Sequence, residues 1–175
     1  QLVVCLLFQY AGMSFVDFAH LKERNIKNGI LDYNRQKTGT PMRLEILDTA
    51  ELMRKELMGD KRPASGYLFP FLSGTKTGYE AYLEYNAALS RFNRNLKALK
   101  KAAGIASDVT SYTIRHSFAM ALKEQNVPIE MISELLGHKS IKTTQIYMRS
   151  FSLEKMTEVN STCFGCVYNY VSKVG

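Results

Sequence analysis

In the last third of this 175-residue chain an arginine, a histidine and a tyrosine stand where their types could act together on an anion. Arg115, followed directly by His116, lies in the first turns of a helical stretch, Ser111 to Lys123, marked by Ile114, Phe118, Ala121 and Leu122. An arginine held at such a half-buried place needs an anion, because a buried charge without a partner is costly. His138 follows Leu136-Gly137, and Tyr147 comes nine residues later. Far upstream, Lys37 sits beside the turn of an expected hairpin. A lone helical tyrosine is ordinarily an amphipathic surface residue, and a lone turn lysine a solvated one. Their meaning therefore depends on the elements that hold them.

Those elements read as mainly helical with a small antiparallel β-hairpin, an α+β class. Leu2 to Gln9 reads as a buried helix, and Ser14 caps a second one carrying Phe15, Phe18, Ala19 and Leu21 at helical spacing. Ile30 to Arg35 and Met42 to Leu47 carry strand residues around Lys37-Thr38-Gly39-Thr40-Pro41, a turn sequence. Thr49 to Leu57 is helical in pattern, Gly59 to Gly66 a loop, and Tyr67 to Leu72 a short extended segment. From Tyr79 to Ala103 the pattern is helical. There Phe92, Leu96, Leu99 and Ala103 share a narrow apolar sector, while Arg91, Arg94, Lys97, Lys100 and Lys101 occupy the opposite side. Pro128 opens another helix at its first position, with Ile129, Ile132, Leu135 and Leu136 as its buried stripe. Gly137 ends that helix in a left-handed cap and Ser140 starts the next, so His138 is held in a two-helix corner with Tyr147 two turns beyond.

Composition narrows the partner. The net charge is +7; residues 1–90 hold 11 Lys and Arg against 10 Asp and Glu, and residues 91–175 hold 12 against 6. A surplus of +6 in the second part favours a polyanion, since basic side chains on phosphates release counterions. The apolar run Leu2 to Phe8 is far short of the roughly 18–20 residues that span a bilayer and lacks the flanks of a signal peptide. Three cysteines, Cys5, Cys163 and Cys166, cannot all pair, which suits a reducing, cytoplasmic location without membrane attachment. No second cysteine pair or histidine pair completes a zinc site around the Cys163–Cys166 pair, and no metal or cofactor is expected.

Leu135-Leu136-Gly137-His138-Lys139-Ser140, then Thr143-Thr144 and Tyr147, resembles the "LLGH…T…Y" signature of tyrosine recombinases and phage integrases. Thr110-Ser111-Tyr112-Thr113-Ile114-Arg115-His116-Ser117-Phe118-Ala119 is similar to the preceding box, usually written HxxRH[TS]FA. Arg35-Gln36-Lys37-Thr38-Gly39 resembles the hairpin carrying the family's catalytic lysine, and Tyr67-Leu68-Phe69-Pro70 its following "FP" segment. Phe8 to Asp17 resembles the first box, most often TGLRxSEL. The wording of the boxes is similar to that of mobile-element integrases in Bacteroidetes.

The resemblance implies a tyrosine recombinase catalytic domain over residues 1–150, a C-terminal tail over 151–175 that packs in cis or on a neighbouring subunit, and an N-terminal DNA-binding domain outside this chain. It implies site-specific recombination of double-stranded DNA by subunits assembled as a tetramer on synapsed DNA, through a 3′-phosphotyrosyl intermediate. Tyr147 would be the nucleophile, Arg115 the phosphate clamp, Lys37 the general acid and His138 a hydrogen-bond donor to a phosphate oxygen. His116 would support the site from behind. Arg91, Arg94, Lys97, Lys100, Lys101 and Lys139 would contact DNA. Two positions depart from the pattern: the first arginine falls at Ser14, or at Ala11 in a shifted register, and Tyr112 replaces the histidine of the second box. Tyr112 can donate a hydrogen bond but does not act as a base near pH 7. The alternatives are a catalytically impaired DNA-binding relative and a helix-turn-helix regulator, in which Tyr147 would be dispensable.

Overall fold

The computed structural model describes residues 1–59, 66–146, 148 and 156–157. Helix α1 (Leu2–Gln9) buries Leu6 and Leu7, and a turn with Ala11 and Gly12 in the left-handed region leads to α2 (Phe15–Ala19). Ser14 caps α2 as expected, its hydroxyl accepting from the backbone N–H of Asp17 at 3.5 Å. A single 3-10 turn, Glu23–Asn25, then enters a three-stranded antiparallel sheet: β1 (Ile26–Lys27), β2 (Ile30–Asn34) and β3 (Pro41–Glu45), in that order.

The hairpin expectation holds, with Asp32 opposite Arg43 and Asn34 opposite Pro41 in register. Two details differ. The sheet gains β1, too short to show a period in sequence, and β2 ends at Asn34, which leaves Arg35 as the first residue of the loop. Arg35 still closes the ladder, since its N–H donates to Thr40 O at 2.9 Å. The segment after Gly66 contributes only a bridge between Tyr67 and Lys22 and then turns, where an extended stretch to Leu72 was expected.

Helix α3 (Asp48–Met58) packs on α1, and the long α4 (Gly78–Ala102) buries Ala88, Phe92 and Leu96. Leu99 is half-buried, while Ala103, expected in the same apolar stripe, is the exposed cap, because the helix outruns the core there. The principal core is aromatic: Phe15 stacks on Phe92 at 4.6 Å between centroids, and Phe18 on Phe69 at 4.1 Å. A smaller cluster of Ala119, Ile132 and Leu136 joins α5 (Ser111–Glu124) to α6 (Ile129–Leu135). Pro128 is the residue before α6 rather than its first residue, its ψ of 142° being extended. Gly137 ends α6 at φ +61°, and Ser140 caps α7 (Ile141–Gln145). Tyr147, Cys163, Cys166 and nearly all of the 151–175 tail lie outside the described residues. Among the described residues no helix is long and apolar enough to cross a membrane.

Candidate active site

Two turns far apart in the chain come together around Arg115. The side chain is 4% exposed, and its guanidinium donates through Nη1 to Gly12 O at 2.9 Å, in the α1–α2 turn, and through Nη2 to Leu136 O, at the C-cap of α6. Nη2 also faces His138 Nε2 at 3.2 Å. Because a guanidinium has donors only, Nε2 accepts in this arrangement and the ring proton sits on Nδ1, toward Thr144 Oγ1 at 2.9 Å. Thr144 is fully buried, so α7 fixes the ring's orientation from the other side. Burial, then the charge of Arg115, then that of Arg35, push His138 down from its ordinary 6.5 to about 4. The imidazole is thus neutral at neutral pH.

Arg35 was not singled out by its residue type, yet the fold carries it into this corner. It is 7% exposed, with Nε 3.4 Å from Asp17 Oδ2 and Nη1 donating to Gly137 O at 3.0 Å. The sequence held a signal for it: alternation along β2 buries Leu31 and Tyr33, and Arg35 continues that face. Asp17, 2% exposed, is the anchor: it also receives the Ser14 hydroxyl at 2.6 Å and the Gln36 N–H at 2.7 Å. The latter bond fixes the hairpin one residue before Lys37. Tyr33 reports the same field, since burial and then Asp17 hold its phenol well above the ordinary range while Arg115 and Arg35 pull it down.

The remaining expected residues are placed as follows. Lys37 is exposed at the hairpin turn, beside Gly39 at φ +67° and the Thr38–Thr40 hydroxyl pair at 2.8 Å. Ser14 is consumed by its cap and by Asp17, and Ala11 is buried; neither brings a cation. Tyr112 occupies the first turn of α5 with 60% of its surface exposed, outside the buried cluster, and His116 is half-buried beside Arg115. Arg91, Arg94, Lys97 and Lys101 are exposed along α4, and Lys139 is exposed after His138. Lys100 differs from its neighbours: half-buried, it pairs with Asp108 at 3.2 Å, because the chain after α4 turns back over it. Among the described residues no group of three or more His, Cys, Asp or Glu could hold a metal ion.

The boxes that meet here, from the α1–α2 turn to α7, are spanned as one unit by the model of the phage integrase family, which matches residues 1–154. The chain belongs to the phage integrase family. Tyrosine recombinase XerD of Lacticaseibacillus casei is 52% identical over 54 residues, 31% of this chain and 18% of that protein. Tyrosine recombinase XerC of Rickettsia typhi is 41% identical over 75 residues, 43% of this chain and 24% of the relative. The matched stretches thus span no more than about a quarter of those relatives' length. Among solved structures, XerA recombinase superposes over 89% of this chain and 55% of its own with a TM-score of 0.64 at 20% identity. The Tn1549 transposon integrase in complex with a circular intermediate DNA covers 91% and 57%, with a TM-score of 0.65 at 15% identity. At these identities the likeness is one of fold, that of the tyrosine recombinase catalytic domain. The helix-turn-helix alternative needs only residues 129–148 and leaves the rest of the family match without a role.

Proposed function

We propose that this chain is the catalytic part of a tyrosine-type site-specific recombinase, cutting and rejoining double-stranded DNA of a mobile element. The observation that carries the reading is the joining of Arg115 from α5, His138 from the α6–α7 turn and Thr144 from α7, immediately before the segment that bears Tyr147. The relatives are recombinases by name, and the Tn1549 integrase is a DNA complex.

Phosphoryl transfer asks for an in-line nucleophile, charge stabilisation on the nonbridging oxygens and a proton for the leaving group. Tyr147 Oη forms a bond to the scissile phosphorus, and the bond from phosphorus to the 5′ oxygen breaks. The tyrosyl proton is lost to solvent or a base, and the departing oxygen takes a proton from Lys37. The phosphodiester energy is kept in the phosphotyrosyl bond, so religation needs no external energy source. Arg115, whose planar fork suits a phosphate, holds a nonbridging oxygen. His138, neutral while it faces two guanidinium groups, turns donor when the arriving phosphate offsets their charge and raises its proton affinity. Tyr112 would act at the edge of the site and His116 behind Arg115. Arg91, Arg94, Lys97, Lys101 and Lys139 would track the DNA backbone, with Lys100 already paired to Asp108. Recombination requires further subunits, a tetramer on two synapsed sites, and the tail after residue 150 would join them or fold back in cis.

The test is a nicked suicide substrate that loses its short 5′-hydroxyl fragment after cleavage. The full-length protein gives a denaturant-resistant DNA adduct, and Tyr147→Phe gives none while binding the same DNA. Binding without adduct in the parent protein points instead to a DNA-binding relative that has lost catalysis.

A further inference from the structure

Asp17 also borders a polar cavity of about 410 Å³, formed where the 3-10 turn after α2 faces the end of β2. Lys22 and Arg24 line it from the turn, and Tyr33, Asn34 and Gln36 from the hairpin. Neither Lys22 nor Arg24 forms an ion pair among the described residues. Glu23, between them in sequence, lines a separate cavity with Arg54 and Lys55. The Asp17 carboxylate is already matched by Arg35 at 3.4 Å. The wall therefore carries two cations that no carboxylate of the cavity offsets.

The turn that carries these cations is fastened in place. Asn25 accepts the Lys22 N–H at 2.8 Å and donates to Asp32 O at 2.8 Å, tying the turn to β2, and Lys22 Nζ lies 5.4 Å from the centre of the Tyr67 ring. Tyr33, 7% exposed, adds a second and independent feature. Its hydroxyl has no hydrogen-bond partner among the described residues, yet it is not sealed away, as Tyr10 Oη is. Buried hydroxyls are ordinarily hydrogen-bonded, so a phenol left open on a cavity wall is placed for an acceptor from outside. Burial and the nearby Asp17 hold that phenol protonated, and it can donate. The side-chain amides of Asn34 and Gln36 likewise meet no partner among the described residues. Fixed cations and uncommitted donors around one cavity suit an anion with several acceptor oxygens.

We propose that this cavity is a second phosphate site, in which Arg24 and Lys22 meet the charge of a non-scissile phosphate and the Tyr33 hydroxyl donates to one of its oxygens. Gln36 borders the cavity and Lys37 follows it directly, so on the recombinase reading, on which the inference rests, the cavity stands beside the cleavage point. A DNA strand carries a phosphate about every 3.4 Å along the duplex axis, which brings neighbours of the scissile phosphate within its reach. The site grips the strand next to the cut and touches none of the reacting atoms. The same donors fit a free phosphorylated molecule, and the test separates the two sources.

Duplexes carrying a single uncharged methylphosphonate at successive positions around the cleavage point are titrated with the full-length protein, in which Tyr147→Phe prevents cutting. The same titrations follow with Arg24→Ala or Tyr33→Phe added; neither change removes a hydrogen bond of the fold. On unmodified duplex, Arg24→Ala weakens binding about tenfold and Tyr33→Phe about threefold, and Arg24→Ala lowers the slope of log affinity against log salt by about 1. At one non-scissile position the methylphosphonate costs the parent about as much as Arg24→Ala does, and the two together cost no more than either alone. Variants that bind duplex like the parent, while inorganic phosphate raises the melting temperature of the parent and not of Arg24→Ala, assign the site to a free phosphorylated molecule. Additive losses at every position overturn the proposal, as do variants that match the parent both in DNA binding and in the response to phosphate. A parent that binds no duplex fails the recombinase reading itself, and the phosphate titration then decides the cavity alone.

Discussion

The aromatic core and the arginine corner are both buried, and they are held together in opposite ways. Phe15, Phe18, Phe69 and Phe92 meet through ring faces, where the energy scales with area removed from water and direction matters little. In the corner, Arg35 and Arg115 are placed by backbone carbonyls of Gly12, Leu136 and Gly137 and by the Asp17 carboxylate, each bond fixing a direction. The first region supplies stability and can trade one ring for another apolar group of similar size. The second spends hydrogen bonds on holding positive charge where water would disperse it, and substitution there should be felt in chemistry before it is felt in folding.

Four substitutions and one titration would break or sharpen that contrast. Phe18→Ala in the core should cost about 3–5 kcal/mol of stability in chemical denaturation, with cleavage per folded molecule unchanged. Arg115→Lys should reverse the pattern: roughly 3–4 kcal/mol lost from transition-state stabilisation, read as single-turnover cleavage, with a melting temperature much closer to the parent's. Gly137→Ala joins the two regions, for its left-handed backbone and the Met42 and Arg35 atoms in the path of a Cβ should cost about 2–4 kcal/mol together. Here both the denaturation midpoint and the cleavage rate should fall. Thr144→Val removes the acceptor of the His138 ring proton and should cost about 1 kcal/mol of stability, together with a slower cleavage step.

The titration concerns His138. Its folded-state pKa lies below the ordinary 6.5, at about 4. An unfolded chain therefore takes up this proton first as pH falls, and the folded state loses stability from about 6.5 down to about 4. Above 6.5 the contribution is complete. Denaturation midpoints across pH 4–8 should fall with acid in the parent and fall less in His138→Gln; identical pH profiles would contradict the assigned environment.

Much of this was legible in the chain before any coordinates, and the reasons are local. Helices α4, α5 and α6 announce themselves by apolar spacing, the hairpin by Thr38-Gly39-Thr40-Pro41, and the Gly137 and Ser140 caps by residue type. Arg115 and His138 were found through their boxes and do meet. What escaped was tertiary. The two residues of β1 carry no period, and Pro128 can be misplaced by one position because only its ψ distinguishes a cap from a first helical residue. Lys100 looks like its neighbours until Asp108 folds back on it. Arg35 looks like a polar turn residue until the alternation of β2 is carried one step past the strand's end, and its partner Asp17 lies 18 positions away.

The bonds that assemble the corner close very long loops: Arg115 reaches Gly12 across 103 positions and Arg35 reaches Gly137 across 102. Loop closure on that scale is slow and comes late in folding. A chain still emerging from the ribosome has its hairpin lysine, and its first turn, well before it has Gly137 or His138. Until α6 is made and docked, neither Leu136 O nor Gly137 O is there to hold the guanidinium groups of Arg115 and Arg35. The arginine corner is therefore assembled only after α6 has joined the fold.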